Sequence, residues 1–137
     1  MNEPTLLWSI VHAGNRIQQR LEDSLEPSGL SLAKLNALRH LVEAKEPLAL
    51  GQLAEKIACV KSNVTQLVDR LENEGLVQRV PDPRDRRSVL AAVTDEGRQR
   101  YSAGSAALAD AERELLAEIP AGDRTSVASL MSGLSKP

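Results

Sequence analysis

Lys61, Ser62, Asn63, Thr65 and Gln66 lie within six positions of one another, and Arg84, Asp85, Arg86 and Arg87 follow after a short interval. Serine, asparagine, threonine and glutamine both donate and accept hydrogen bonds, which suits them to base edges in the major groove of duplex DNA. A lysine reaches a phosphate or a guanine. Guanidinium groups on a narrow projecting loop suit the minor groove, where negative potential is concentrated. Asp85 stands two residues before Arg87, placed to hold that side chain by a salt bridge. Taken singly, the first group is an ordinary solvated helix face and the second a solubilising loop. Their succession is what points to duplex DNA.

Other reactive side chains are sparse. Cys59 could couple oxidation to loss of binding by adding a polar group where two helices meet. Buried cysteine also packs as a small apolar residue, and this is the preferred reading. Trp8 and His12 are one helical turn apart, with Arg16 a turn further on. They are candidates for lining an effector pocket, although interface packing and a surface histidine account for them more simply. His40 is expected on the exposed or partly covered side of its helix. One cysteine and two histidines, scattered, offer no metal-ligand spacing. No serine, cysteine or histidine falls in a motif that activates a nucleophile. The expectation is a protein without metal, cofactor or catalytic activity.

The elements that must carry these residues follow from apolar spacing. Leu7, Ile10, Gly14, Ile17, Leu21 and Leu25 recur at coiled-coil intervals and predict a helix over 5–26, ended by Pro27 and Gly29. So long a stripe must be buried, and a second copy of the chain is a natural partner. Ser31 caps a helix running to about Glu43. Leu50, Leu53, Ala54 and Ile57 mark a short helix. Val64, Leu67, Val68 and Leu71 mark the next, over about 61–74, with Gly75 just past its end. The pair has helix-turn-helix spacing. Leu76–Val80 and Val89–Val93 predict a two-stranded hairpin with the arginines in the eight residues between. Thr94 caps a helix over 95–119, favoured at its start by Asp95 and Glu96, and a last short helix spans 127–134.

Composition limits the alternatives. With 137 residues, 42% hydrophobic and 26% charged, the chain has the balance of a single globular domain. Trp8 and Tyr101 are the whole aromatic complement. That argues for aliphatic helix packing and against single-strand binding, which uses aromatic platforms. The formal net charge is −2, so any DNA affinity must come from locally placed cations and helix N-termini. One cysteine excludes an internal disulfide. No leader pattern or membrane-length apolar run is evident, so a cytoplasmic location is expected.

The run SNVTQLVDRLENEGLVQRVPDPRDRRSVLAAVTDEG resembles the multiple antibiotic resistance regulators (MarR). DRLENEGLVQR, the DRR of the wing and the VTDEG that enters the next helix carry the resemblance. It implies a mainly α winged helix-turn-helix fold with a two-stranded β-hairpin wing, over 30–94 of a single 1–137 domain. It implies a homodimer through the terminal helices, 5–26 and 95–135. It also implies an inverted-repeat operator and, often, relief of repression by a small anionic or aromatic effector. By position, Ser62, Asn63, Thr65 and Gln66 would face bases, Arg87 would enter the minor groove and Asp85 would orient it. The family usually caps both motif helices with Ser or Thr, whereas Ala49 and Val60 stand here, and Ala58 replaces the turn glycine. Each lost cap costs about 1 kcal/mol.

The expected role is a homodimeric, sequence-specific transcriptional regulator of the repressor type. The rivals are a winged-helix protein-interaction module without DNA binding, and a Cys59-based redox-sensing repressor.

Overall fold

The computed structural model describes residues 3–57 and 61–136. The order is α1 (Glu3–Leu25), a 3-10 turn, α2 (Leu32–Ala44), β1 (Leu48–Ala49), α3 (Leu50–Lys56), α4 (Lys61–Asn73), β2 (Val77–Asp82), β3 (Asp85–Val93), α5 (Asp95–Ala117), a second 3-10 turn and α6 (Arg124–Leu134). Helices dominate, with one small antiparallel sheet of strand order β1-β3-β2. Among the described residues, no helix is long and apolar enough to cross a membrane.

The core is aliphatic, as the scarcity of aromatics requires. Leu38, Leu53, Val64, Val68, Leu71 and Leu76 are fully buried where α2, α3, α4 and the sheet meet. Val64, Val68 and Leu71 are spaced by four and three, so one stripe of α4 faces inward and the opposite face is left to solvent.

Two junctions fix the α4–wing–α5 sequence in space. At the end of α4, Gly75 takes a left-handed φ of 77°. Its N–H donates to the Glu72 carbonyl, and the Leu76 N–H donates to that of Leu71. This is a Schellman closure, with buried Leu71 and Leu76 as its apolar contact. At the start of α5, the Thr94 hydroxyl accepts the Gly97 N–H and donates to the Gly75 carbonyl. The Thr94 N–H also reaches the Leu76 carbonyl. One threonine therefore caps α5 and clasps the end of α4.

The hairpin differs from the sequence expectation. Only Pro83 and Arg84 lie between its strands, rather than eight residues. Pro81 falls among those eight residues in the sequence, but β2 is an edge strand, where a proline is tolerated. Pairing continues through Pro81↔Val89, and an irregularity at Pro81/Asp82 brings Asp82 opposite Asp85. Arg86 and Arg87 are therefore strand residues, and Arg84 alone of the three arginines occupies the turn. The other addition is β1, whose two residues pair with Leu90 and Ala91.

The long apolar stripe of α1 is buried only at its C-terminal end. Leu25 is inaccessible, whereas Leu7 is 60% and Trp8 65% exposed. Ile17 and Leu21 meet Leu115 of α5 and Ile119 just past its end along a shared cleft, and Arg20 pairs with Glu118 at 2.8 Å.

Candidate nucleic-acid interface

The outward face of α4 is graded in charge. Asn63 and Gln66 are exposed near its start, and Thr65 is half-buried between them. Lys61 and Ser62 open the helix, and the described side chains begin at Asn63. Further along stand Asp69, Glu72 and Glu74, and each carboxylate is engaged. Lys34 of α2 holds Glu74 at 2.7 Å. Arg79 of β2 holds Asp69 at 2.5 Å and Glu72 at 2.7 Å. Past Lys61 the start of the helix is thus uncharged and polar, while the carboxylates toward its end are neutralised from the lobe. Helical spacing alone puts Asp69 on the outward face of α4. It misses the Arg79 pairing because the partners come together only after the chain reverses at Gly75.

The wing shows the opposite arrangement. Arg84, Arg86 and Arg87 are exposed, and among the described residues none forms an ion pair with an acid. The nearby aspartates are turned to the backbone. Asp82 Oδ1 accepts the Arg84 N–H at 2.9 Å, and Asp85 Oδ1 accepts the Arg87 N–H at 3.0 Å. The expected Asp85–Arg87 salt bridge is corrected accordingly: the carboxylate shapes the tight hairpin and leaves the guanidinium unpaired. Arg86 and Arg87 are consecutive on β3, so their side chains leave opposite faces of the strand.

The helix ahead of α4 lacks its usual cap. Ala49 has no side-chain oxygen to offer, but Gln52 Oε1 accepts the Ala49 N–H at 3.0 Å. That supplies one half of a capping box. Ala58, Cys59 and Val60 lie outside the described residues.

The candidate effector residues are not brought together at a pocket. Trp8 and His12 are exposed on α1, and Arg16 borders a small α1–α5 cleft with Arg20 and Glu118. A larger cleft of about 580 Å³ opens instead between α2 and α5, lined by Leu35, Asn36, Arg39, Tyr101, Leu108 and Glu112, among others. Arg39 Nη2 donates to Asn36 Oδ1 at 2.8 Å on its edge. The signal missed in the sequence is the single tyrosine, placed on α5 opposite an arginine of α2. Among the described residues, no group of three or more histidine, cysteine or acidic side chains is placed to hold a metal ion.

Comparison with known proteins gives this arrangement its context. The MarR family model matches residues 30–89. The repressor MdtR of Bacillus subtilis is 34% identical over 82 residues, covering 60% of this chain and 52% of its own. The activatory protein BadR of Rhodopseudomonas palustris is 33% identical over 96 residues, covering 68% of this chain and 54% of its own. The chain thus spans about half the length of these relatives. Among solved structures, a mutant MarR from E. coli complexed with operator DNA superposes with a TM-score of 0.83. The two are 22% identical, with 98% of this chain and 97% of the other covered, a likeness of fold.

Proposed function

We propose, for a chain that belongs to the MarR family, that it acts as a homodimeric transcriptional repressor reading an inverted-repeat DNA operator. The observation that carries this reading is the contrast in charge pairing. Arg79 is bound twice within the protein, while Arg84, Arg86 and Arg87 are exposed and unpaired among the described residues. Unpaired guanidiniums on a projecting hairpin suit a polyanion. In this reading Asn63 and Gln66 meet base edges, with Lys61, Ser62 and Thr65 beside them. Arg87 enters the minor groove, and Arg84 and Arg86 hold flanking phosphates.

Dimerisation is supported by the unburied apolar surface at the chain ends. Leu6, Leu7, Trp8 and Val11 of α1 and Leu130 and Leu134 of α6 are all exposed. Four such residues within one stretch of α1 suit a site of association. A two-fold pair would set two α4 helices at half-sites about 34 Å apart. Repression follows if bound protein occludes a promoter.

The α2–α5 cleft suits a small anionic aromatic effector. Arg39 supplies a cation, Leu35 and Leu108 supply apolar walls, and Tyr101 supplies a phenol. The cleft joins the reading lobe to the long α5 helix. A ligand that favours one spacing of the two lobes would shift the dimer away from its DNA-binding arrangement.

Selection of bound duplexes from a random pool, with sedimentation of the free protein, tests the whole reading. An enriched inverted repeat and a dimeric mass are expected. A protein that enriches no duplex is an interaction module instead.

A further inference from the structure

Asp69 and Glu72 lie one turn apart in the second half of α4, the helix assigned above to the major groove. Two carboxylates there would face a polyanion, and they approach the helix end where the backbone dipole is already negative. Arg79 meets both. Its Nη2 lies 2.5 Å from Asp69 Oδ1, its Nη1 lies 2.7 Å from Glu72 Oε1, and its backbone N–H donates to Glu72 Oε2 at 2.9 Å. The Arg79 side chain is only 25% exposed, so it is held against the lobe rather than extended toward solvent. Val77 and Ala91, near it on the sheet, are buried, and Arg79 pairs with Ala91 across the hairpin. The guanidinium thus bridges the reading helix and the first strand of the wing at a point where neither can move alone.

We propose that Arg79 is a positioning residue for duplex reading. It fixes the wing against α4 and cancels the charge of Asp69, which would otherwise repel the phosphates, and it touches no DNA itself. This rests on the DNA-binding reading above. The planar fork is essential to the role, because one guanidinium serves two carboxylates at fixed angles and a lysine ammonium does not.

The test uses the full chain and the duplex that the wild-type protein enriches from a random pool, with binding followed by fluorescence anisotropy across a salt series. Arg79→Gln is expected to weaken binding about tenfold, within the range seen for coupled charge groups. Its slope of log affinity against log salt should stay at the wild-type value, because no phosphate contact is removed. Adding Asp69→Asn to Arg79→Gln should recover most of the loss, which a mere brace for the fold would not do. Arg79→Lys should fall between the wild type and Arg79→Gln, and it carries the test if thermal melts show Arg79→Gln unfolded at the assay temperature. A slope reduced by about 0.9 would mean that Arg79 itself contacts a phosphate and would overturn the proposal. So would a double variant no better than Arg79→Gln, or unchanged affinity in Arg79→Gln and Arg79→Lys alike. If the wild-type chain enriches no duplex, the DNA-binding reading fails first and this inference falls with it.

Discussion

The Leu76 carbonyl oxygen lies 2.1 Å from where a Cβ on Gly97 would stand. The first turn of α5 therefore rests directly on the backbone that leaves α4, and Val93 closes the same space at 2.9 Å. The Leu76 carbonyl is held there by the Thr94 N–H, so it cannot swing aside without breaking that hydrogen bond. Gly97→Ala should cost about 2–4 kcal/mol, the range in which a named steric clash is felt. Urea unfolding followed by circular dichroism measures it. Gly51→Ala, where a Cβ meets nothing within 4 Å, is the control expected to be neutral or slightly stabilising.

Glu72 gives the fold a defined acid sensitivity. The Arg79 backbone N–H, and then its guanidinium, hold this carboxyl below its ordinary value of 4.5. The unfolded chain therefore takes up a proton at higher pH than the folded one. The stabilisation is complete above the unfolded value and is lost as pH falls through the folded value. The urea midpoint of the wild type should fall as pH is lowered below the ordinary carboxyl value of 4.5. Glu72→Gln should start lower and show a shallower fall across the same window. An equally steep fall in that variant would assign the acid sensitivity to other carboxylates.

Much of this fold is legible in the sequence where the signal is local. Ser31 and Thr94 announce their helices, Gly75 ends another, and the spacing of Val64, Val68 and Leu71 shows which face of α4 turns inward. The misreadings share one cause, interactions between residues distant in sequence. Pro81 looks like part of the connection between the strands until β2 is known to be an edge strand. Asp69 looks free until the chain reverses and delivers Arg79 to it. Two residues are too few for β1 to show a pattern, since its existence depends wholly on β3. Trp8, His12 and Arg16 share a helix face, but only Arg16 sits far enough along α1 to border the cleft that α5 forms with that helix.

Lys45 offers a gain in stability. It closes α2 with a φ of 63°, the only non-glycine residue with positive φ among those described. A side chain in this region crowds the following carbonyl, at a cost of about 1–2 kcal/mol. Lys45→Gly removes the strain but increases the freedom of the unfolded chain, so the net gain should be about 0.5–1 kcal/mol. A thermal midpoint raised by roughly 3 °C is expected. A lower midpoint would show that the Lys45 side chain contributes more than its backbone costs.

The wing and α4 should fail in different ways when altered. Arg87→Ala removes a cation with no acid partner among the described residues, so affinity should drop for most duplexes and the salt slope should flatten by about 0.9. Asn63→Ala and Gln66→Ala remove groups that carry no net charge. They should leave the salt slope intact and relax sequence preference at single positions, each worth about 1–3 kcal/mol. Competition between the enriched repeat and single-base variants separates the two patterns. Unchanged operator affinity in Arg87→Ala would remove the wing from the interface.

The terminal helices should couple assembly to reading. Leu130 and Leu134 are one turn apart on α6, and their side chains are 65% and 64% exposed in the single chain. A glutamate there meets no cost in a monomer, because the position is already solvated. In a dimer that buries both leucines, the same change places a charge in apolar surroundings, which is expensive unless it is paired. Leu130→Glu with Leu134→Glu should therefore leave the melting of the reading lobe nearly unchanged while halving the mass seen by sedimentation. Affinity for a single half-site should persist, and affinity for the full repeat should fall toward it, because the second half-site is no longer reached at high effective concentration. A variant that stays dimeric and binds the full repeat normally would place the interface elsewhere on the chain.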